Sequence, residues 1–213
     1  MKKFYKTATY IFLLALVLPF SAAATTLDYE VKVDGRKAGY MEVTVTRDEN
    51  DYQIKGRMWS TGLAKFLSNW WSKFTTSGRL ENGQPVTDSH ELVEHSNQRD
   101  RAVRVKNGIL EELKNGRQKP PRKVFAHMDV LSALFFAENC DAPAALFNSK
   151  DQYHVVKVAT EEKSDMLRCE FDVQDADKDS FRATVWLNRV NGINVPVRVD
   201  LKGDRKGSIR LRS

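Results

Sequence analysis

Apolar and polar residues alternate one for one through most of the chain, and this period constrains the fold more than any other feature of the sequence. Residues 27–33 begin the pattern, with apolar side chains at the odd positions and mostly charged side chains between them. A period of two places the apolar side chains on one face of a β-strand. The alternation recurs in residues 41–46, 52–58, 103–106, 167–173, 181–187, 195–201 and 209–211. Asp34-Gly35 and Asn107-Gly108 are typical hairpin turns between such strands.

These strands predict a meandering antiparallel sheet, because short alternating segments joined by polar turns show no pattern of parallel crossovers. One face of such a sheet is apolar and must be covered. The sheet can cover this face by curling into a barrel or half-barrel or by folding into a sandwich. We predict a mainly β protein with a curled sheet, a barrel or half-barrel, and two short helices on its concave side.

Two segments follow a helical period instead. The first has apolar residues at spacings of three and four, namely Trp59, Leu63, Phe66, Leu67, Trp70 and Phe74. This stripe predicts a helix that begins near Ser60 or Thr61. The second predicted helix begins at Asp129, a residue suited to the N-cap, and contains Leu131, Leu134 and Phe135. It begins after Pro120-Pro121, because proline disfavours an earlier start.

The N-terminus has the three parts of a secretory signal peptide. Lys2, Lys3 and Lys6 precede an apolar run over residues 11–20, and small residues follow at 21–24. The run is too short for a membrane anchor, which needs about 20 apolar residues, and no cysteine follows it that would carry a lipid. We predict a signal peptide over residues 1–24 and a single β-rich periplasmic domain over residues 25–213, with no transmembrane segment in the mature chain.

Two cysteines remain after the predicted signal peptide, Cys140 and Cys169. An even number of cysteines in an oxidising compartment predicts a disulfide between them. The alternative is a redox or metal-binding pair. That reading lacks the C-x-x-C spacing and the neighbouring ligands that thiolate activation and zinc binding need.

Charge argues against a nucleic-acid partner. The full chain carries a formal net charge of +6, and half of it belongs to Lys2, Lys3 and Lys6. The remaining chain is nearly balanced, whereas an electrostatic nucleic-acid binder concentrates positive charge.

Motifs for catalysis or metal binding are missing from the sequence. His90 and His95 resemble a zinc peptidase motif, but they are five residues apart, which places them on opposite faces of a strand and not on one face of a helix. The nucleophile and phosphate-loop motifs are absent as well. Because the predicted inward positions are apolar, we expect no enzyme activity, no metal and no cofactor.

The helical stripe is the sequence's strongest candidate for a binding site. Three of the four tryptophans lie in 13 residues and are flanked by Lys65 and Lys73, a composition that suits a membrane surface or an apolar ligand. The candidate ligand-binding residues are Trp59, Leu63, Phe66, Leu67, Trp70 and Trp71. Two alternatives remain, a core helix that plugs the sheet and a docking site for a partner protein. Trp71 lies off the stripe and is expected to be the most exposed.

Several local patterns together resemble an exported bacterial family catalogued as domain of unknown function number 3108. The segments that carry this resemblance are Tyr29-x-Val31 with Gly35 and Gly39, Ser60-Thr61-Gly62-Leu63, Ser77-Gly78-Arg79-Leu80, Asn82-Gly83-Gln84-Pro85, Asp129-Val130-Leu131-Ser132-Ala133-Leu134, Val185-Trp186-Leu187, Val195-Pro196-Val197-Arg198 and Gly207-Ser208-Ile209-Arg210. The resemblance extends from about Leu27 to Leu211, with a weak match between Ala142 and Lys150. It implies export and a β-rich fold, and it supplies no catalytic residues.

The sequence thus favours a non-enzymatic periplasmic protein of the cell envelope. We expect a lipid or other apolar molecule to bind the concave face of the sheet, with the Trp-rich helix as a lid. The alternative is an envelope scaffold that binds a protein partner and no small ligand. Fold alone does not decide between these functions.

Overall fold

The computed structural model of the protein describes residues 23–141, 143–163, 166–176, 179–190, 193–204 and 206–212. The predicted signal peptide, residues 1–24, lies outside this part of the chain except for Ala23 and Ala24. These two alanines are the first residues of the first strand, where they pair with Arg47 and Thr46.

The described residues form fifteen strands in one sheet. The strands are β1 (Ala23–Val33), β2 (Arg36–Asp48), β3 (Asp51–Ser60), β4 (Trp71–Glu81), β5 (Gln84–Ser96), β6 (Arg99–Lys106), β7 (Ile109–Lys114), β8 (Arg117–Gln118), β9 (Arg122–Lys123), β10 (Ala145–Phe147), β11 (Gln152–Lys163), β12 (Met166–Asp175), β13 (Ser180–Val190), β14 (Ile193–Lys202) and β15 (Lys206–Leu211). Two α-helices accompany the sheet, α1 (Gly62–Ser68) and α2 (Val130–Phe136).

Nearly every strand pairs with its neighbours along the chain, and all of these pairs are antiparallel. The strand order is β10-β11-β12-β13-β14-β15-β1-β2-β3-β4-β5-β6-β7-β8, and β9 pairs with β7. Besides β9, a departure from sequential pairing is β1, which pairs with β15 as well as with β2. The predicted meandering antiparallel sheet with two short helices is confirmed.

The sheet is curled so strongly that its two ends meet. Phe147 of β10 packs in one apolar cluster with Val103, Val105 and Leu110 of β6 and β7, although these strands lie near opposite ends of the strand order. Residues 124–129 run between the two ends. We call this meeting place, formed by β6, β7, β10 and residues 124–129, the seam.

Backbone hydrogen bonds tie the seam on both sides. The amide of Thr87 donates to the carbonyl of His127 over 2.9 Å, and the amide of Phe147 donates to the carbonyl of Met128 over 3.1 Å. No ladder pairs β10 with β8 among the described strands. The sheet is therefore bent nearly into a ring while its ladder stays open at the seam.

The concave face of the sheet holds the main core, as the alternation predicts. Val43, Val45 and Ile54 are fully buried there, and Phe135 and Phe136 of α2 pack into the same cluster. Helix α2 thus lies on the concave side. Each buried Val, Ile or Phe side chain contributes about 1.5–3 kcal/mol relative to an exposed one.

Two strand glycines make room for aromatic side chains in this core. A Cβ at Gly56 would overlap the ring of Phe74, and a Cβ at Gly78 would overlap Tyr52 and the carbonyl of Val86. Glycine is therefore required at these two positions by close packing, since the strands approach too tightly for any side chain.

The structure confirms the predicted start of one helix and shortens the other. Helix α2 begins directly after Asp129, the predicted N-cap. Helix α1 is much shorter than the stripe from Trp59 to Phe74, because Asn69 takes a left-handed conformation that ends it. The prediction of a helix across the whole stripe is therefore wrong: Trp59 lies on β3, and Phe74 lies on β4.

The edge of the sheet that carries α1 also carries several hairpins. In an antiparallel meander, every second connection lies at the same edge, so the β1–β2, β3–β4 and β5–β6 connections share one. The amide of Asp34 donates to the carbonyl of Lys206 over 2.7 Å, which places the start of β15 and the end of β14 there too. We call this the α1 edge.

The described residues contain no helix that is long and apolar enough to cross a membrane.

Candidate apolar ligand site

A cavity of about 240 Å³ lies between α2 and the concave faces of strands β11 to β14. Its walls are almost entirely apolar. The lining residues are Val130, Ala133, Leu134, Ala137, Cys140, Leu146, Asn148, Tyr153, Val155, Cys169, Phe171, Val173, Phe181, Ala183, Val185, Leu187, Val199 and Leu201.

The cavity exists because small residues meet where the helix crosses the sheet. Ala133 of α2 and Ala137, the C-cap of that helix, line the cavity together with Ala183 of β13. The opposite side of α2 carries Phe135 and Phe136, which fill the main core. The helix is therefore packed tightly on one side only.

The polar side chains in the lining satisfy each other. The side-chain amide of Asn148 donates to the hydroxyl of Tyr153 over 2.7 Å. Burial raises the pKa of Tyr153 to about 12, and the nearby charge of Asp151 acts in the same direction, so the phenol is neutral at physiological pH. The lining of the described chain includes no carboxylate, lysine, arginine or histidine.

The disulfide between Cys140 and Cys169 forms part of the cavity wall. It joins the turn that follows α2 to the centre of β12, with 5.9 Å between the two Cα atoms, and it confirms the predicted pairing. Because it fixes the C-terminal side of α2 against the sheet, the disulfide holds the cavity's width.

The shallow end of the cavity lies at the α1 edge. Leu201 is the next-to-last residue of β14 and is 38% exposed, and Phe181, the second residue of β13, is half-buried. The deep end is lined by buried residues such as Cys169 and Leu187. An apolar molecule that enters between Leu201 and Phe181 would thus meet a continuous apolar path inward.

A buried polar network anchors the N-terminus of α2 beside the cavity. Asp129 is almost fully buried, and its Oδ1 accepts hydrogen bonds from the amides of Leu131 and Ser132 over 2.9 and 3.3 Å. Its Oδ2 accepts from the hydroxyl of Thr87 over 2.8 Å and from that of Ser132. The hydroxyl of Tyr52 in turn donates to Ser132 over 2.8 Å. The carboxylate is thus fully satisfied by donors and acts as a structural anchor.

His90 continues this network towards the seam. Its Nδ1 lies 2.9 Å from the hydroxyl oxygen of Thr76, which donates to Asp129, so His90 donates through Nδ1. Its Nε2 has no hydrogen-bond partner among the described residues. Burial lowers the pKa of His90, against the smaller opposing charges of Asp129 and Glu91.

His90 and His95 lie on opposite faces of β5, as the spacing predicts. His90 is buried on the concave face, whereas the side chain of His95 is on the convex face, with its ring 5.7 Å from that of Trp71. No group of three or more histidine, cysteine or acidic residues in the described chain is placed to hold a metal ion.

A family model described as a protein of unknown function, DUF3108, matches residues 28–212 of the chain. The chain belongs to this family. The resemblance predicted from the local motifs is confirmed, and the matched range includes every strand and helix described above except the first residues of β1. A search of curated proteins finds no match.

In this DUF3108 protein the predicted ligand-binding residues lie outside the cavity. Leu63, Phe66 and Leu67 are on α1, where they are 80%, 84% and 73% exposed. Trp59 and Trp71 are paired across β3 and β4 on the convex face. Helix α1 therefore does not cover the concave side, and none of the six residues lines the cavity.

Trp70 lies between α1 and β4 and is half-buried. Its indole Nε1 donates to a carboxylate oxygen of Glu94 over 3.2 Å, and the same carboxylate contacts Arg99. This bond fixes the base of the α1 connection to β5, so α1 projects from a rigid support.

The alternation in the sequence predicts the sheet faces that line the cavity of this DUF3108 protein, but it does not predict the cavity itself. The apolar positions of β12 and β13 were predicted to face inward, and Cys169 and Val185 do. The available signal was the set of alanines, Ala133, Ala137 and Ala183, whose small volume leaves space. That these three alanines line one cavity depends on how α2 packs against the sheet, which the sequence does not show.

Proposed function

We propose that this protein binds an apolar molecule, such as the acyl chain of a lipid, in the cavity between α2 and strands β11 to β14, and that it does so in the bacterial cell envelope without catalysing a reaction. The observation that carries the proposal is an apolar cavity of about 240 Å³ between α2 and the concave face of the sheet. Protein interiors leave few voids larger than a water molecule.

Water is a poor occupant of such a space. A buried water needs two to four polar partners, and the cavity offers only Asn148 and Tyr153, which already bond each other. An engineered apolar cavity in another protein, with a volume of about 150 Å³, stays dry and binds benzene. An apolar ligand here would gain about 25 cal/mol for each Å² of apolar surface removed from water.

The lining supports binding and gives no support to catalysis. General acid–base or nucleophilic chemistry needs a titratable or nucleophilic group within hydrogen-bond reach of the substrate, and the polar side chains in the described lining are Asn148 and Tyr153, which bond each other. The export and envelope location in the proposal are supported by the N-terminal sequence pattern and by the disulfide, which persists in oxidising compartments.

Fluorescence titration with N-phenyl-1-naphthylamine, an apolar probe that brightens out of water, tests the proposal. The wild-type protein should bind the probe with saturation at one site. Ala183→Phe fills the cavity and should weaken binding by about tenfold or more, since a lost fit of 1.4 kcal/mol changes affinity about tenfold. Ala102→Phe is the matched control, because Ala102 lies on the convex face of β6.

A second variant keeps the test valid if Ala183→Phe does not fold. Leu201→Glu places a charge at the exposed rim, where it should be tolerated, and it should also weaken probe binding. The proposal fails if both cavity variants bind the probe as the wild type does, or if Phe66→Ser on α1 removes the binding instead. Native mass spectrometry of protein purified from cells should show a bound apolar mass that Ala183→Phe lacks.

A further inference from the structure

Three strongly exposed apolar side chains lie together on one short helix. Leu63, Phe66 and Leu67 project from α1, none less than 73% exposed, and no residue of α1 is buried. Spacings of three and four place all three on one side of the helix. We call these three residues the α1 tip. Contiguous apolar groups of this kind on a surface mark a site of interaction.

A row of aromatic side chains crosses the sheet directly behind the α1 tip. Tyr40, Trp59, Trp71 and His95 occupy successive register positions on β2, β3, β4 and β5, so all four lie side by side on the convex face. The ring centroids of Tyr40 and Trp59 are 6.0 Å apart, and those of Trp71 and His95 are 5.7 Å apart. We call this set the aromatic row. Trp and Tyr are enriched where a protein meets the headgroup region of a bilayer.

Positive charge accompanies both features. The chain from Trp59 to Leu80 contains Lys65, Lys73 and Arg79 and no acidic residue. In the aromatic row, the Nζ of Lys73 lies 5.9 Å from the ring centroid of Trp71, and the guanidinium of Arg57 lies 5.1 Å from that of Trp59.

The acidic residues that flank the aromatic row are engaged by neighbouring side chains, and Glu42 among them contacts the guanidinium of Arg57. Glu30 contacts the ammonium groups of Lys32 and Lys37 at 3.2 and 3.5 Å, and Asp100 contacts the imidazole of His95 at 2.5 Å. The surface around the α1 tip therefore favours an anionic partner.

We propose that the α1 tip and the aromatic row dock on an anionic lipid surface. Leu63, Phe66 and Leu67 enter the boundary between headgroups and acyl chains, as the apolar side of an interfacial helix does. The aromatic row lies at headgroup level, and Lys65 and Lys73 contact lipid phosphates. Basic residues near such a surface favour binding to anionic lipids.

Docking through the α1 tip would turn the α1 edge of the sheet, and with it the shallow end of the cavity, towards the lipid surface. The α1 tip and the shallow end of the cavity share the α1 edge of the sheet, and four strand spacings separate β3 from β14 in the strand order. At about 4.8 Å for each spacing, docking brings the rim at Leu201 and Phe181 close to the same lipid surface. The docking surface itself shares no residue with the cavity, so the two proposals are tested separately.

Vesicle co-sedimentation tests the docking. We expect the wild-type protein to bind vesicles that contain phosphatidylglycerol and to bind pure phosphatidylcholine vesicles much less. Phe66→Ser should weaken binding about tenfold. The phenyl ring gains free energy when it leaves water for the lipid, and serine has no such apolar surface to transfer. Phe125→Ser is the matched control, since Phe125 is 76% exposed but lies far along the chain at the seam.

A charge-reversal pair separates electrostatic docking from general attraction to a basic protein. Lys65→Glu should weaken binding to the phosphatidylglycerol vesicles about tenfold. Lys106→Glu changes the net charge equally, but Lys106 ends β6 at the edge opposite α1, and it should have little effect. The cavity variant Ala183→Phe should bind vesicles as the wild type does.

Three results would overturn the proposal. Equal binding to both vesicle types would remove the anionic surface as the partner. Equal losses in Phe66→Ser and Phe125→Ser would remove the tip as the site. Failure of the wild type to bind any vesicle, together with a dimer in sedimentation velocity that Phe66→Ser dissociates, would assign the tip to a second copy of the chain.

Discussion

The ring of Phe147 stands edge-on to the imidazole of His90, with 6.1 Å between the ring centroids. Phe147 belongs to β10, at one end of the sheet, and His90 belongs to β5, near the other end. This contact is made only because the sheet bends through almost a full turn. The contact between the rings of His90 and Phe147 therefore exists only while the seam is closed.

We predict that the protein loses stability as His90 becomes protonated. Its pKa is lowered in the folded state, so between the unfolded value of about 6.5 and the lower folded value the unfolded chain binds one proton more. Stability from this group is present above about pH 6.5 and falls as the pH falls, by at most about 1.4 kcal/mol for each pH unit. Denaturant unfolding at several pH values measures the slope.

His90→Gln should flatten this slope, because glutamine does not titrate. Ser89→Ala is the control, since Ser89 precedes His90 on the same strand and carries no titratable group, and it should leave the slope unchanged. An identical slope in wild type and His90→Gln would contradict the prediction.

Asp129→Ala should destabilise the protein by about 3 kcal/mol, because it removes the N-cap of α2 and leaves buried hydroxyl groups without an acceptor. The free energy of unfolding from a denaturant titration measures the change. Asp88→Ala serves as control: Asp88 pairs with Arg79 at the surface, and its loss should cost less than about 1 kcal/mol. Equal effects of the two substitutions would show that Asp129 is not a buried anchor.

Gly78→Ala should destabilise the protein by about 2 kcal/mol or more, since the new methyl group would overlap Tyr52 and the backbone of β5. Gly207→Ala is the opposite case. A Cβ there makes only ordinary contacts with Leu201, the nearest at 3.7 Å, so alanine should be neutral or stabilise β15 by up to about 1 kcal/mol. Thermal unfolding of the two variants should shift in opposite directions or, at the least, by clearly different amounts.

Reducing the Cys140–Cys169 disulfide should lower the free energy of unfolding by about 3–4 kcal/mol, as expected for the closed loop of 29 residues. Guanidinium unfolding with and without a reductant measures the loss. The Cys140→Ser/Cys169→Ser double variant should already be destabilised and should not respond to the reductant. Labelling of two free thiols in the unreduced native protein would contradict the disulfide.

Much of the fold follows from alternation and from local capping signals. The period of two identifies the buried faces of β2, β12 and β13, because burial in a one-sided sheet depends only on which face a residue occupies. Asp129 was recognisable as the start of α2, since capping is decided by the residue and its next three amides. These features need no knowledge of distant contacts.

The prediction of a helix from Trp59 to Phe74 is wrong because some residue spacings in this stripe are compatible with both a helix and a strand. A spacing of four residues, as between Trp70 and Phe74, keeps side chains on one side of a helix and also on one face of a strand. The deciding signals were Gly62, which has a positive φ, and Asn69, which together limit α1 to seven residues. The cavity was beyond local reasoning, because its volume depends on how α2 crosses four strands.

The pairing of β1 with β15 has a consequence for how the chain folds. Residues from the two ends of the polypeptide lie side by side in the middle of the sheet, where the amide of Arg212 donates to the carbonyl of Asp28 over 2.8 Å. A chain that emerges from its N-terminus must therefore keep the outer edge of β1 unpaired until the last residues arrive. A chain that stops short of β15 would leave that edge of β1 exposed to pairing with other chains.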